Sequence, residues 1–374
     1  MSDSPTKKIL IIGGTGAQGL PVIRGLLSPS PSGSPSPYTV SVLTRDPTSA
    51  RAQSILSAFP NSVTLLKGSF SSESDLRSAL SGCWGAFVNI DGFATGESLE
   101  IFYTIRCYEL ALEAGVQFYV HGNLDYGYKN SGWDPKMRCG HYDGKGRAGQ
   151  WILDRNKEKK ATTAGAALFT TGPYIEMAIG SSTPMTPKVA EDGTLAWYLP
   201  LGPNGAVPHV SLDDCAHYVR WLFDNPQRAD GMDLAVAVGH IHYSEMAEAF
   251  TKVTGKKARF VDVDVETFFS SPEWQAVGSK PCGYTIESAD APGVMTIREN
   301  FGGFWNLWRA SGGNDGPARR DYALLDEIHP GRIRTAEEFF RREDEKARTD
   351  GRGSLWDVVV NPKPILKLHE DGDF

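Results

Sequence analysis

The chain has 374 residues, which at about 150 residues per domain calls for two domains, or one with large appendages, and excludes a single small module. Apolar residues make up 40% and charged residues 22%, with 9 Trp, 13 Tyr and 17 Phe, enough to build a sizeable core and to exclude disorder as the main state. Lys plus Arg number 38 against 45 Asp plus Glu, so the basic excess of a direct DNA or RNA binder is missing.

No run approaches the length of apolar sequence that spans a bilayer. The N-terminus MSDSPTKKILIIGG passes from a polar lead straight into a strand pattern with no cleavage signature. A cytoplasmic protein without membrane association is expected. The cysteines Cys83, Cys107, Cys139, Cys215 and Cys282 are scattered, with no Cys-x-x-Cys or Cys/His spacing, so reduced thiols are expected, with no disulfide and no metal site.

KKILIIGG at residues 7–14 is a continuous apolar run that fits a strand buried on both faces. A glycine-rich turn follows, then a helix pattern on Leu20, Val22, Ile23, Leu26 and Leu27. The Pro/Ser/Gly tract Ser28 to Pro37 stops that helix and reads as a solvated loop. Thr39 to Leu43 alternates as a strand and delivers Thr44 and Arg45 at its end. Val63 to Leu66 is a strand, and Ser72 with Asp75 caps a helix through Leu80. Trp84 to Ile90 is the next strand. A long helix from about Ser98 to Ala114 carries Leu99, Phe102, Ile105, Leu110 and Leu112, and leads to the strand Phe118 to Val120. This alternation predicts an α/β fold with a doubly wound parallel sheet of Rossmann type.

Further on, a helix around Gly144 to Asp154 precedes the strand Ala166 to Thr170. The Gly/Pro/Thr/Met-rich segment Gly172 to Pro208 reads as loops lining a pocket, with Tyr174, Met177, Met185, Trp197 and Tyr198 as its apolar wall. Ser211 starts a helix, and Tyr243 to Val253 with Ala258 to Val263 form a helix and a strand. An aromatic cluster (Phe301, Phe304, Trp305, Trp308) and a terminal helix capped by Thr335 and Glu338 close the chain, the cluster being placed to cover a substrate pocket. The expected division is a cofactor-binding Rossmann domain over 1–165, to which a helix near 211–224 returns, and a smaller C-terminal substrate domain with its extension over 166–374.

Between the first strand and helix stands Gly13-Gly14-Thr15-Gly16-Ala17-Gln18-Gly19, a Gly-x-x-Gly-x-x-Gly spacing. Glycine is needed where the backbone turns tightly, where it approaches a pyrophosphate, and where helix and strand cross closely. The free amides of the helix N-terminus then receive phosphate charge. At the end of the second strand an acidic residue would bind a ribose 2′-hydroxyl and a basic one a 2′-phosphate. Arg45, with Thr44 beside it, points to NADP(H); the alternative leaves Arg45 in solvent and gives the ribose to Asp46. In His141-Tyr142-Asp143-Gly144-Lys145, His141 and Lys145 are four apart and share a helix face.

These segments resemble the NmrA-like family of atypical short-chain dehydrogenases, a branch that includes a fungal nitrogen-metabolism repressor, a human NADPH-sensing protein and reductases of plant and fungal secondary metabolism. The resemblance rests on GGTGAQG, on Val42-Leu43-Thr44-Arg45-Asp46-Pro47, on HYDGKG, on Gly172-Pro173-Tyr174-Ile175-Glu176, on Val207 to Asp214, and on Asp321-Tyr322-Ala323-Leu324. It implies an NADP(H)-binding Rossmann domain and places Lys145 at the nicotinamide ribose. It adds Asn89, Pro173 and Tyr174 to the cofactor-binding candidates.

The chain departs from the short-chain dehydrogenase pattern at the chemistry. His141 stands where a Tyr general acid precedes the Lys. Gly122, next to Asn123, replaces the carbonyl-polarising Ser. Ser69 replaces the acidic residue after the glycine near the adenine. Tyr142 reads as core, and His141 either as a proton donor or as a helix cap; Asn123, Tyr126 and Tyr128 lie in a loop where ligands bind in such sheets. Two functions follow. One is an NADPH-dependent oxidoreductase of a hydrophobic small molecule, with Lys145 and His141 as catalytic candidates. The other is a non-catalytic NADP(H) sensor acting through a protein partner, for which a nuclear location is also open.

Overall fold

The computed structural model describes residues 6–30, 33–158, 164–283, 286, 290 and 293–366. Two compact units divide the chain. The first comprises residues 1–124, 144–170 and 212–235, and the second 125–143, 171–211 and 236–374. The chain therefore passes between units several times: the helix expected near 211–224 does return to the first unit, and the excursion of residues 125–143 into the second is what the expected cut after residue 165 left out.

In the first unit, β1 (Lys7–Ile12), β2 (Tyr38–Thr44), β3 (Val63–Lys67), β4 (Gly85–Val88), β5 (Phe118–Leu124) and β6 (Gly165–Thr171) join the strand Asp233–Ala235 in one sheet. Its order is Asp233–Ala235, β6, β5, β4, β1, β2, β3. The sheet is of the parallel, Rossmann type, with β1 paired in parallel to both β2 and β4. The chain leaves β1 toward β2 and later returns to β4 on its other side, which creates a topological switch point beyond the ends of β1 and β4. Ile9 to Ile12 are almost wholly buried, as a strand covered on both faces requires.

The helices α1 (Gly19–Leu27), α2 (Ala50–Ala58), α3 (Glu73–Leu80) and α4 (Gly92–Glu113) follow β1, β2, β3 and β4. Helix Leu212–Asp224 packs on α1 at glycine distance, since a Cβ at Gly25 would lie 2.3 Å from the Ala216 carbonyl oxygen. Arg220 there donates to the carbonyls of Gly25, Leu26 and Ser28. Of the tract Ser28 to Pro37, Pro31 and Ser32 lie outside the described residues, and the rest is mainly exposed.

Helix α4 departs from its expected form. It begins at Gly92, six residues early, and accommodates Gly96 at φ 73. Its N-terminal half also faces the other way from expectation: Leu99 and Phe102 are 48% and 50% exposed, whereas Thr95, Glu100, Thr104, Cys107 and Ala111 are buried; Leu110 is buried as expected.

The second unit holds a three-stranded sheet, in which Leu195–Leu199 pairs in parallel with Ala258–Asp262 and antiparallel with Lys188–Val189, and an antiparallel pair, Val207–His209 with Gly239–Ile241. Most of the segment expected to be loops is outside strands, but Lys188–Val189, Leu195–Leu199 and the start of Val207–His209 are paired within it. Met185 and Trp197 are fully buried. Trp197 Nε1 donates to the Ala178 carbonyl at 3.0 Å, and its ring packs on Tyr243 and Phe250. They are core, not pocket wall.

The aromatic cluster is core as well. On helix Ile297–Ala310, opened by a capping box of Thr296 and Glu299, Phe304, Trp305 and Trp308 are buried against Tyr142 and Phe268. Its expected role of closing a pocket does not match this burial. A surface cavity of about 510 Å³ in this unit is lined instead by Lys136, Arg138, Met295, Glu299 and Asn306, among others. Helix Ala336–Thr349 is capped by Thr335 but is not the last helix, since Leu355–Val360 follows. The five cysteines are free thiols, four of them buried. Among the described residues no helix is long and apolar enough to cross a membrane.

Candidate functional site

The glycine loop lies at the switch point, and each glycine answers to a different neighbour. Gly13 has φ +82, and a Cβ there would meet the Asn89 carbonyl oxygen at 2.4 Å. A Cβ at Gly14 would press on Val42, and one at Gly19 would lie 2.2 Å from the Gly13 carbonyl oxygen. Those three are explained by packing. Gly16 is not: its Cβ would meet only the Gly13 carbonyl oxygen, at 3.2 Å, and Gly16 and Ala17 are partly exposed while Thr15 and Gln18 are buried. The Gly16 N–H closes the turn onto Gly13, and α1 then opens without a side-chain cap. In its first turn the Leu20 N–H donates to the Gly16 carbonyl and the Val22 N–H to that of Gln18, and Pro21 has no N–H, so Gly19 carries the orphan amide of this helix start.

At the end of β2, Thr44 is buried and Arg45 exposed. Among the described residues Arg45 has no hydrogen-bond or ion-pair partner. Asp46 is committed locally, since one carboxylate oxygen accepts from the Thr48 N–H at 2.8 Å and the Thr48 hydroxyl at 2.6 Å, which leaves less of it for a ribose. Arg51 on α2, which the sequence reading passed over, donates to the Thr15 carbonyl at 3.1 Å and so reaches the glycine loop. Ser69 binds the Ser71 hydroxyl, and its N–H donates to Asp75 Oδ2 at 2.9 Å. A carboxylate thus does stand at this turn, supplied by α3 and not by the residue after Gly68.

Lys145, on helix Gly140–Lys157, is the centre of a buried polar cluster. Its Nζ donates to Asn89 Oδ1 at 3.0 Å and to the Ile90 carbonyl at 2.5 Å, and pairs with Glu100 Oε1 at 2.9 Å. Asn89 in turn donates to Gln18 Oε1 at 2.8 Å, so the glycine loop and the lysine are linked through one amide. Gly122 explains the absent serine, because a Cβ there would lie 2.7 Å from the Asn89 Cβ. The position is filled by the bridging asparagine. Beyond it, Asn123 donates to the Thr170 hydroxyl at 2.8 Å.

Two buried titratable groups of this cluster escaped the sequence reading. Glu100 is fully buried, and burial raises its carboxyl to about 7 against the opposing pull of Lys145. His121 on β5 is fully buried, and burial, with the Lys145 charge second, lowers it to about 3, so it stays neutral. The available signal for Glu100 was the small and polar stripe Glu100, Thr104, Cys107, Ala111, which repeats at helical spacing opposite Leu99 and Phe102.

His141, Tyr142, Pro173 and Tyr174 belong to the second unit. His141 Nδ1 sits 3.1 Å from Asn300 Oδ1, 2.9 Å from its Nδ2, and 3.3 Å from the Cys139 sulfur, so its orientation is fixed from helix Ile297–Ala310. Cys139 is fully buried, which pushes its thiol well above the ordinary value and makes it an inert neighbour. Tyr142 is buried, and burial raises its hydroxyl far above the usual range, which removes it as an acid near neutral pH. The Pro173 carbonyl accepts from the Val210 N–H at 3.0 Å, and the Ile175 N–H donates to the Val210 carbonyl at 2.9 Å, flanking Tyr174.

The sequence model described as the NmrA-like family matches residues 5–277. An NmrA-like family domain-containing oxidoreductase of Penicillium ochrochloron is 26% identical over 280 residues, covering 72% of this chain and 78% of its own. The fold is shared with NmrA, a negative transcriptional regulator solved in complex with NAD, at TM-score 0.67 and 17% identity over 94% of this chain and 100% of the other. It is also shared with an NADPH-dependent quinone oxidoreductase of Escherichia coli in complex with NADPH, at TM-score 0.62 and 17% identity over 88% and 98%.

Proposed function

The chain belongs to the NmrA-like family, and from that premise and the geometry of the first unit we propose that it is an NADP(H)-dependent oxidoreductase of a hydrophobic small molecule. The observation that carries the proposal is Gly16, a glycine at the switch point whose Cβ direction holds no side chain. The space beside it suits a pyrophosphate, with the Gly19 amide at the start of α1 as a donor. Arg45, an exposed guanidinium without a partner, suits a 2′-phosphate, and Arg51, already at the loop through Thr15, is a second cation for it. Gly13, Gly14, Thr15, Ala17, Gln18, Gly19, Thr44, Ser69, Asn89, Pro173 and Tyr174 complete the cofactor-binding set.

When bound, the cofactor supplies a hydride. Lys145 holds the nicotinamide ribose hydroxyls and raises the potential beside the oxygen that gains electron density. His141, oriented by Asn300, donates the proton to that oxygen in place of the absent tyrosine. The test is the initial rate of NADPH oxidation across ketones, quinones and imines. Turnover that is lost in Lys145→Ala, and that in His141→Phe falls and loses a pH dependence near neutrality, supports the assignment. Full activity in both variants overturns it.

A second reading is favoured by one observation. The serine position is filled by Asn89 and the tyrosine position by a histidine tied to Asn300, an arrangement equally suited to binding NADP(H) without turnover. It is distinguished by the absence of turnover on every substrate together with a protein partner retained only when NADPH or NADP+ is present.

A further inference from the structure

We propose that Glu100 is a positioning residue for Lys145, and that cofactor binding draws Lys145 away from Glu100 and loads a proton onto the Glu100 carboxylate. This rests on the reading of the first unit as an NADP(H) site. An ammonium has three N–H donors, and those of Lys145 face three partners: Asn89 Oδ1, the Ile90 carbonyl and Glu100 Oε1. To hold a ribose hydroxyl, Lys145 has to give one up. The Ile90 carbonyl is fixed in the backbone, and Asn89 is itself held by Gln18. Glu100 is the partner whose hold can be cancelled, by protonation.

The surroundings of the carboxyl favour that exchange. Glu100 is fully buried, and neither carboxylate oxygen has a hydrogen bond of good geometry among the described residues, Lys145 meeting Oε1 as an ion pair at 2.9 Å. It lies against the backbone of two glycines: a Cβ at Gly92 would stand 2.4 Å from Oε2, and one at Gly144 3.0 Å. Side chains at either position would displace it. The charged groups facing it are Lys145 from helix Gly140–Lys157 and, from its own end of α4, Asp91 and Glu97, both of which add negative charge. Glu97 also pairs with Arg147 at 3.6 Å, and His121 on the β5 side is neutral. Lys145 is thus the group here that favours the carboxylate, against burial and two like charges. With the empty-site carboxyl near 7, withdrawal of Lys145 raises it further, so binding takes up a proton and weakens as pH rises through that value. The effect is about tenfold in affinity for each unit by which binding moves the carboxyl.

The experiment is calorimetric titration of NADPH into the wild type, Glu100→Gln and Lys145→Met, each in two buffers of different ionisation enthalpy, between pH 6.5 and 8.5. The 2′-phosphate, with its own ionisation near 6, contributes equally to all three and cancels in the comparison. Relative to both variants, the wild type should take up roughly half a proton more at pH 7 and lose affinity more steeply as pH rises. Glu100→Gln keeps the shape and an acceptor for Lys145, and Lys145→Met gives an independent answer if that variant fails to fold. No uptake in the wild type, or undiminished uptake in either folded variant, overturns the role of Glu100. Failure of folded wild type to bind NADPH at all overturns the cofactor reading beneath it, and is recognised by the absence of any binding heat.

Discussion

Each unit holds a buried acid–base pair, Arg320 with Asp125 in the second and Lys145 with Glu100 in the first, and the two are built differently. In the second unit Arg320 and Asp125 meet through two hydrogen bonds of 2.7 Å, one to each carboxylate oxygen. The remaining donors of Arg320 go to the carbonyls of Val236 and Arg319. In the first unit Lys145 meets Glu100 Oε1 as an ion pair at 2.9 Å, and neither carboxylate oxygen has a hydrogen bond of good geometry among the described residues. Buried charges are costly unless their hydrogen bonds are complete, so the first pair is a fastener and the second an incomplete arrangement retained where a ligand is proposed to bind. Polar groups left short of partners in a folded core mark the place where structure has been shaped for something other than stability.

The largest effect expected from this contrast is on stability. Arg320→Ala strands the Asp125 carboxylate and should cost about 3–5 kcal/mol, seen as a lower denaturant midpoint; Glu100→Gln should change stability by less than about 1 kcal/mol, because the buried carboxylate removed has no well-formed hydrogen bond to lose. Comparable losses in the two variants would break the comparison.

Two glycines sharpen it within the loop. Gly16→Val should leave circular dichroism unchanged while lowering NADPH affinity by roughly 100-fold or more, as phosphate hydrogen bonds worth about 1.5–3 kcal/mol each are displaced. Gly19→Ala should instead lower the melting temperature, since its Cβ would meet the Gly13 carbonyl oxygen at 2.2 Å and overpacking costs about 1–3 kcal/mol.

Acid should reach the two units through different histidines. Burial lowers His121 in the first unit to about 3 and His209 in the second to about 4. Both folded values lie below the unfolded one of about 6.5. Stability is therefore full above that pH and falls as pH drops toward the folded values, by up to about 1.4 kcal/mol per pH unit for each histidine. His209→Asn should flatten the acid limb of an unfolding curve measured between pH 6.5 and 4.5.

The smallest effect belongs to the Pro/Ser tract. Its turn is closed by the Ser30 N–H on the Ser34 carbonyl, and Ser36 ties it back to Leu26 and Tyr38. Excising Ser30 to Ser34 while keeping Ser36 should alter stability by no more than about 0.5 kcal/mol, and NADPH affinity should be unchanged.

What the sequence disclosed follows from how the physics is written in it. A strand buried on both faces, such as β1, must be an unbroken apolar run, and a loop that packs this closely must spell glycine, so the sheet and the GGTGAQG turn were legible. Helix α4 was not. Its apolar residues suggested one buried face, yet Leu99 and Phe102 face solvent and Glu100 is inside, because the helix turns its polar stripe toward Lys145. The aromatic residues of helix Ile297–Ala310 were found, but residue type alone does not tell a core from a pocket wall. Arg51 was missed, and Asp75 was read only as a helix cap, for a third reason: each reaches its place from the helix after the expected turn, which no local spacing reports.

One titration tests the assignment of Arg45 to a 2′-phosphate most directly. NADPH and NADH are added to the wild type and to Arg45→Asp, and the four dissociation constants are measured by calorimetry at fixed salt. The account predicts that the wild type binds NADPH about tenfold or more tighter than NADH, the difference of one charge-assisted phosphate contact, and that Arg45→Asp removes or reverses that preference while leaving NADH binding nearly unchanged. Equal losses for the two cofactors, or no binding of either to the folded wild type, would contradict it.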